Sequence, residues 1–236
     1  MGLARPILVA SLASAACACT NASASSPSLL SPSPTSASRV VFLDFSDGTH
    51  GVTLGEEDDA THDVSQLCGT TTLGRWEAPR ACAGGDRVAC REEVLLAVRR
   101  HFEPYDVDFT LTRPAAPAVY TTIVIAPTSA ECTFGQRGVA VADCDDANPA
   151  SLGMVFDCHG DAASCAVLVA HEAGHTFGLV HSRDPLDVMT PGPEDPQLTF
   201  LATSSATSAN TCGISQQSSH ATLLRNLGPR WRIDPS

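Results

Sequence analysis

The run His171-Glu172-Ala173-Gly174-His175-Thr176-Phe177-Gly178-Leu179-Val180-His181 brings three imidazoles, one carboxylate and a glycine into a short stretch of chain. An α-helix turns about 100° per residue, so His171 and His175 project from one face about 6 Å apart and can share an ion. Glu172 lies roughly a quarter-turn away, where its carboxylate reaches a water beside the ion without competing as a ligand. That is the place of a general base. On an unbroken helix His181 would sit about 15 Å further up the axis, against a zinc–nitrogen distance of about 2.1 Å. The helix must therefore stop and the chain turn back, and Gly178 is the residue able to adopt the positive φ this requires. Three imidazoles with a flanking carboxylate suit one catalytic Zn2+. Ala166-Val167-Leu168-Val169-Ala170 make the approach apolar. Buried there without a metal, the four polar side chains would need several hydrogen-bond partners or cost several kcal/mol.

The extended motif resembles the metzincin metallopeptidases. These enzymes carry a methionine in a tight turn beneath the metal, and Asp187-Val188-Met189-Thr190-Pro191 supplies one eight residues past His181. Within that clan, Ser182 after the third histidine and the Met189-Thr190-Pro191 turn look most like matrixins. The close resemblance covers residues 164–191; elsewhere it is one of layout. It implies an α+β, metzincin-like fold: a twisted mixed sheet, an active-site helix, a second helix, and a small loop-rich C-terminal subdomain, with the cleft after about residue 181. It also implies an endopeptidase, with His171, His175 and His181 as zinc ligands, Glu172 as the base that activates water, and Gly178 and Met189 shaping the site. In resembling enzymes an edge strand above the cleft pairs with an extended substrate, and Gly138-Val139-Ala140-Val141-Ala142 is the segment for it here. An ordinary internal strand explains that segment equally well. Two other functions stay open: a metzincin-like surface or binding protein that does not cleave, and a zinc hydrolase of a non-peptide amide or ester.

The elements that must position these residues are legible in outline. Arg39 through Phe45 alternates and is β-branched, a strand. Cys90 through Phe102 spaces Val94, Leu95 and Val98 as a helix does, and Pro104 ends it. Val107 through Leu111, Thr121 through Ile125 and residues 153–157 read as further strands, and residues 215–227 as a closing helix. No matrixin-type Pro-Arg-Cys-Gly-x-Pro-Asp switch surrounds Cys68, Cys82 or Cys90, so residues 47–85 are the candidate for a partial cover of the cleft.

The chain has 236 residues and a net charge of −12, with every basic residue an arginine. Such a charge repels nucleic acid. Residues 1–19 read as an export signal, an apolar stretch from Ile7 through Ala18 behind Arg5, and Cys17 or Cys19 would suit a lipid anchor. Residues 20–38 are a Ser/Pro/Ala-rich linker that cannot bury a core, and 39–236 form the catalytic domain. A secreted or envelope-anchored, bacterial, monomeric protein acting on proteins or peptides is expected, touching a membrane only through that anchor. The remaining cysteines, even in number, read as disulfides. Short loops suggest Cys82–Cys90, Cys132–Cys144 and Cys158–Cys165, leaving Cys68 with Cys212. Glu56-Glu57-Asp58-Asp59 and Asp143-Cys144-Asp145-Asp146 are open as Ca2+ sites, although neither has the spaced ligands of an EF-hand and a solvated loop accounts for both.

Overall fold

Alternation along Arg39–Phe45 produces β1, which turns Val41, Leu43 and Phe45 to one side and Phe42 to the other. In the computed structural model, which describes residues 38–49, 51–127, 136–156, 158–208 and 212–230, this strand lies inside a five-stranded mixed sheet. The export segment, nearly all of the linker, Cys132 and Asp157 lie outside the described residues. After β1 the chain forms a small three-stranded sheet from β2 (Gly51–Leu54), β3 (Val64–Ser65) and β4 (Thr71–Thr72). It then enters α1 (Arg87–His101), where the Asp86 carboxylate accepts from the amides of Val88 and Ala89 and so caps two orphan donors. β5 (Val107–Thr110) and β6 (Thr121–Ile125) follow and flank β1 in parallel. β7 (Gly138–Val139) forms one edge of the sheet, antiparallel to β8 (Leu152–Val155), which itself pairs with β6 in parallel.

α2 (Ala162–Thr176), capped by the Asp161 side chain on the Ser164 amide, is buried at every position from Cys165 to Thr176. A helix apolar all round belongs in a core, and α2 lies with α1 against the sheet face formed by Val41, Leu43, Ile123, Ile125 and Val155. The opposite face, Val124, Leu152 and Met154, is covered by Val52, Cys68 and Leu73 of the small sheet region. Beyond α2 the chain makes irregular loops, a short hairpin of β9 (Ser205–Ala206) and β10 (Gln216–Gln217), and α3 (Ser219–Leu227). The described residues make one compact unit.

Several boundaries differ from the sequence reading. α1 begins at Arg87 because Asp86 caps it there, and β7 pairs only through Val139, after which the chain turns towards the end of α2. Residues 216–217 pair with β9, so the closing helix starts at Ser219. Residues 47–85 do not cover the cleft: the small sheet packs on the far face of the large one, and none of the described residues in this range lines the cleft. The disulfides Cys82–Cys90 and Cys158–Cys165 form as expected. Cys144 instead joins Cys212, which corrects both Cys132–Cys144 and Cys68–Cys212; the turn after β7 carries Cys144 beside the segment that leads into β10. Cys68 is disulfide-bonded as well. Among the described residues no helix is long and apolar enough to cross a membrane, and the disulfides fit an extracellular location.

Phe102, just past the end of α1, ties the two helices to the C-terminal loops. Its ring lies 4.9 Å from Phe109, 6.0 Å from Phe177 and 5.1 Å from Phe200, centroid to centroid. Phe102→Ala is expected to lower unfolding free energy by ~3–5 kcal/mol, read as a lower midpoint in urea at unchanged slope.

Candidate metal centre

α2 holds the first two histidines because its sequence is helical and apolar, and it ends where a third can return. Gly178 has φ of 89°, its amide donates to the His175 carbonyl, and the Leu179 amide donates back to the Gly174 carbonyl. These two bonds are a Schellman closure. Space demands glycine too: a Cβ there would lie 2.8 Å from Asn226 Nδ2 and 3.2 Å from the Asp143 carbonyl oxygen. The Asp143 amide donates to the His175 carbonyl and Asn226 Nδ2 to the Phe177 carbonyl, so partners from outside the helix hold its C-terminal end.

The turn brings His181 into a triad with His171 and His175, whose ligand atoms all lie within 4.8 Å of one another. Among the described residues no other group of His, Cys, Asp and Glu side chains is placed to hold an ion. Each helical histidine has its Nδ1 2.8 Å from a backbone carbonyl, His171 on Val188 and His175 on Leu179. A carbonyl only accepts, so both Nδ1 atoms carry the proton and both Nε2 atoms present lone pairs. Those two Nε2 atoms are 3.2 Å apart. No hydrogen lies between them, and two bare lone pairs so close are repulsive without a cation. Two ligands on a tetrahedral zinc, with bonds of ~2.1 Å, stand about 3.4 Å apart, so the donor set and its bite fit that ion. The carbonyls of Val188 and Leu179 are the outer partners that fix ring orientation at such a site.

Burial sets the electrostatics. It pushes His171 down to about 4, with His181 adding to the shift, and drives His175 well below its ordinary value, with both neighbouring rings contributing. His181, half-buried, is lowered by the same cause. Burial raises Glu172 well above the usual carboxylate range. The rings therefore keep their lone pairs available in mildly acidic solution.

Beneath the triad, Met189 is fully buried. Gly174 makes room for it, since a Cβ at that position would lie 2.6 Å from Met189 Sδ. Asp187 holds the turn: its Oδ1 accepts from the Met189 amide and its Oδ2 from Ser219 Oγ, at 2.9 and 2.8 Å. Gln217 braces the returning segment, accepting from the Val180 amide and donating to the Val180 carbonyl, both at 2.9 Å, and donating to Ser219 Oγ. Sequence reasoning missed Gln217, Ser219 and Asn226. Polar residues in a predicted closing helix carry no mark of such partners in sequence; the burial of Gln217 and Ser219 and the reach of Asn226 to Phe177 appear only in the fold.

A cleft of about 410 Å³ opens over the triad. Gly138, Val139, Ala140 and Ala142 line it on one side and Pro191, Gly192 and Pro193 on the other, while Val141 does not line it. Of the acidic clusters, Asp146 pairs with Arg39 at 3.1 Å, Asp143 accepts from the Asn148 amide and Asp58 from the Gln66 amide. These carboxylates serve the fold, and nothing in their arrangement adds to the reading of calcium.

Residues 89–182 match the model of metallo-peptidase family M12B, reprolysin-like. The matched stretch runs from α1 through the triad and is less than half of the chain, so it is a likeness of that segment to the family. No curated protein matches the chain. Among solved structures, the crystal structure of metalloproteinase-II from Bacteroides fragilis aligns at 15% identity and a TM-score of 0.35, over 70% of this chain. The chain spans about half of that one, 50%.

Two outcomes follow from the geometry. Gly178→Ala is expected to cost ~1–3 kcal/mol of stability and at least tenfold in zinc affinity, because it strains the bend that returns His181; competition with a chromophoric chelator reads the second. His171, neutral when folded, contributes stability that is complete above its unfolded pKa of 6.5 and lost as pH falls towards 4. Glu172, raised by burial, acts in the opposite sense, so the histidine is read directly: in metal-free protein its ring resonances are expected to hold still until pH nears 4.

Proposed function

We propose that the chain is an exported zinc-dependent endopeptidase in which His171, His175 and His181 hold the metal and Glu172 moves the proton. The observation that supports this most is the pair of buried imidazoles whose Nδ1 protons are committed to carbonyls while their Nε2 lone pairs converge beside a buried carboxylate. Zinc, when bound, supplies a Lewis acid that polarises a carbonyl oxygen and lowers the pKa of water from 15.7 to about 7.

The chain's own groups do the rest. Glu172 is shielded from solvent and holds a proton more readily than an ordinary glutamate, which matches it to take one from the attacking water and return it to the leaving amine. β7, at the edge of the sheet, offers backbone groups to an extended peptide, a mode that grips main chain and leaves selectivity to side-chain pockets. The walls of the cleft, Val139, Ala140, Leu168, Val180 and Pro191, favour an apolar side chain beside the scissile bond. Ser182 and the Met189-Thr190-Pro191 turn give the lower part of the site a matrixin-like sequence, while the helix segment matches a reprolysin-like model. The reading is therefore of a metzincin with features of both. The leader-like residues 1–19 and the disulfides support export, and mass spectrometry of the mature N-terminus distinguishes a lipidated Cys17 or Cys19 from a free end.

Elemental analysis is expected to show one zinc per chain, and the purified protein to cleave casein until a chelator is added. Glu172→Ala should keep the zinc and lose roughly 10³-fold or more in kcat, an effect of the size that removing a general base produces. Full activity in that variant sinks the reading.

A further inference from the structure

The edge strand touches the carboxylate at one residue. A Cβ built on Gly138 would lie 2.9 Å from both Cγ and Cδ of Glu172 and closer still to Oε1. Real side chains do not approach so closely, and Glu172, on the buried part of α2, could give way only by moving its carboxylate into the cleft that it lines. The backbone at Gly138 does not itself ask for glycine, because its φ is not positive. The need is for space. A residue with any side chain would push either the carboxylate away from its place in the cleft or β7 away from α2.

We infer that Gly138 is a positioning residue for Glu172, setting by direct contact the distance between the rim strand and the carboxylate. This rests on the endopeptidase reading for its catalytic meaning, though the contact itself does not. β7 is fixed from behind by its pairing to β8, Gly138 opposite Val155 and Val139 opposite Met154, and by the Phe156 amide on the Arg137 carbonyl. Gly153 in β8 is tight as well, since a Cβ there would lie 2.9 Å from Ile123 Cδ1 and 3.1 Å from Ala140 Cβ. The pairing and the close packing of Ala140 on Gly153 oppose a sideways shift of the strand away from Glu172. A peptide laid along β7 meets the carboxylate at a spacing set by backbone against carboxylate, whatever side chains the peptide carries. One glycine thus links the surface that would grip the main chain to the group that would serve the scissile bond.

A double-mutant cycle tests this, because shortening the glutamate by one methylene withdraws it from an added methyl. Wild type, Gly138→Ala, Glu172→Asp and the double variant are compared for melting temperature after chelation, for zinc content, and for kcat and KM on a peptide after zinc loading. Gly138→Ala alone is expected to lower the melting temperature by ~4 °C or more. It should lower kcat by ~30-fold or more, with KM and zinc content within about twofold. In the Glu172→Asp background the same substitution should shift melting by less than ~1 °C and kcat by less than ~3-fold, a coupling that independent sites do not show. Equal losses in both backgrounds would mean that Gly138 serves only the strand, and would overturn the inference. Should Gly138→Ala fail to fold, recovery of soluble protein on adding Glu172→Asp supports it, and no recovery overturns it. The melting arm needs no turnover: coupling in melting with no chelator-sensitive cleavage by wild type sustains the contact and overturns the peptidase reading instead.

Discussion

Burying an imidazole is tolerable only when its N–H has a fixed acceptor, and that constraint organises this molecule. His171 and His175 sit in the part of α2 that is buried at every position, where an unpaired polar group costs about 1–3 kcal/mol. Their acceptors are not in the helix. They are the carbonyls of Leu179, immediately past the helix end, and Val188, in the turn that carries Met189. The residues that follow α2 therefore do two things at once: they return His181 and they fix the protonation of the two rings it joins. A helix that ran on past Thr176 would lose the third ligand and the acceptor of the second together.

This explains why so much of the C-terminal segment is given to holding a short stretch of chain. Gln217 pairs with both backbone groups of Val180 as a strand would, at the residue before His181. Its amide also reaches Ser219, which donates to Asp187, which in turn accepts from the Met189 amide. Gln217, Ser219 and Asp187 are buried, so each lost partner would expose its neighbour to a desolvation cost, and the chain of bonds acts as one unit. Asp187 carries its charge into this interior with its carboxyl raised by burial, partly offset by the amide of Met189 and the hydroxyl of Ser219.

What could be read in the sequence and what could not divide along the same line. The His-Glu run and Gly178 are legible because their spacing is local and helical geometry converts it directly into directions in space, whereas Met189 is picked out only by the resemblance of its turn to that of the metzincins. The strands β1, β5 and β6 and the helix α1 are legible by periodicity. Gly138 was placed on the rim as part of a strand, yet its contact with Glu172 depends on how sheet and helix pack, which spacing along the chain does not encode. Gln217, Ser219 and Asn226 act across 30 or more residues, as in the separation of 37 between Gln217 and Val180. β2, β3 and β4 are too short to show a period. Loop length identifies Cys82–Cys90 and Cys158–Cys165 but fails for Cys144, which the turn after β7 carries to Cys212.

That bond closes the same mechanical loop from the outside. Cys144 follows Asp143, whose amide caps the His175 carbonyl and whose own carbonyl lies where a side chain at Gly178 would intrude. Cys212 precedes Gln217, which braces Val180. With a sequence separation of 68, the crosslink removes chain entropy worth about 4 kcal/mol from the unfolded state in the loop-closure model. Its larger consequence is local. The two segments that grip the end of α2, one arriving from the rim strand and one from the final hairpin, are covalently joined beside the bend. Small sheets and two-residue strands can then suffice around the triad, because the groups that must not drift are held at the helix end rather than by the extent of the sheet.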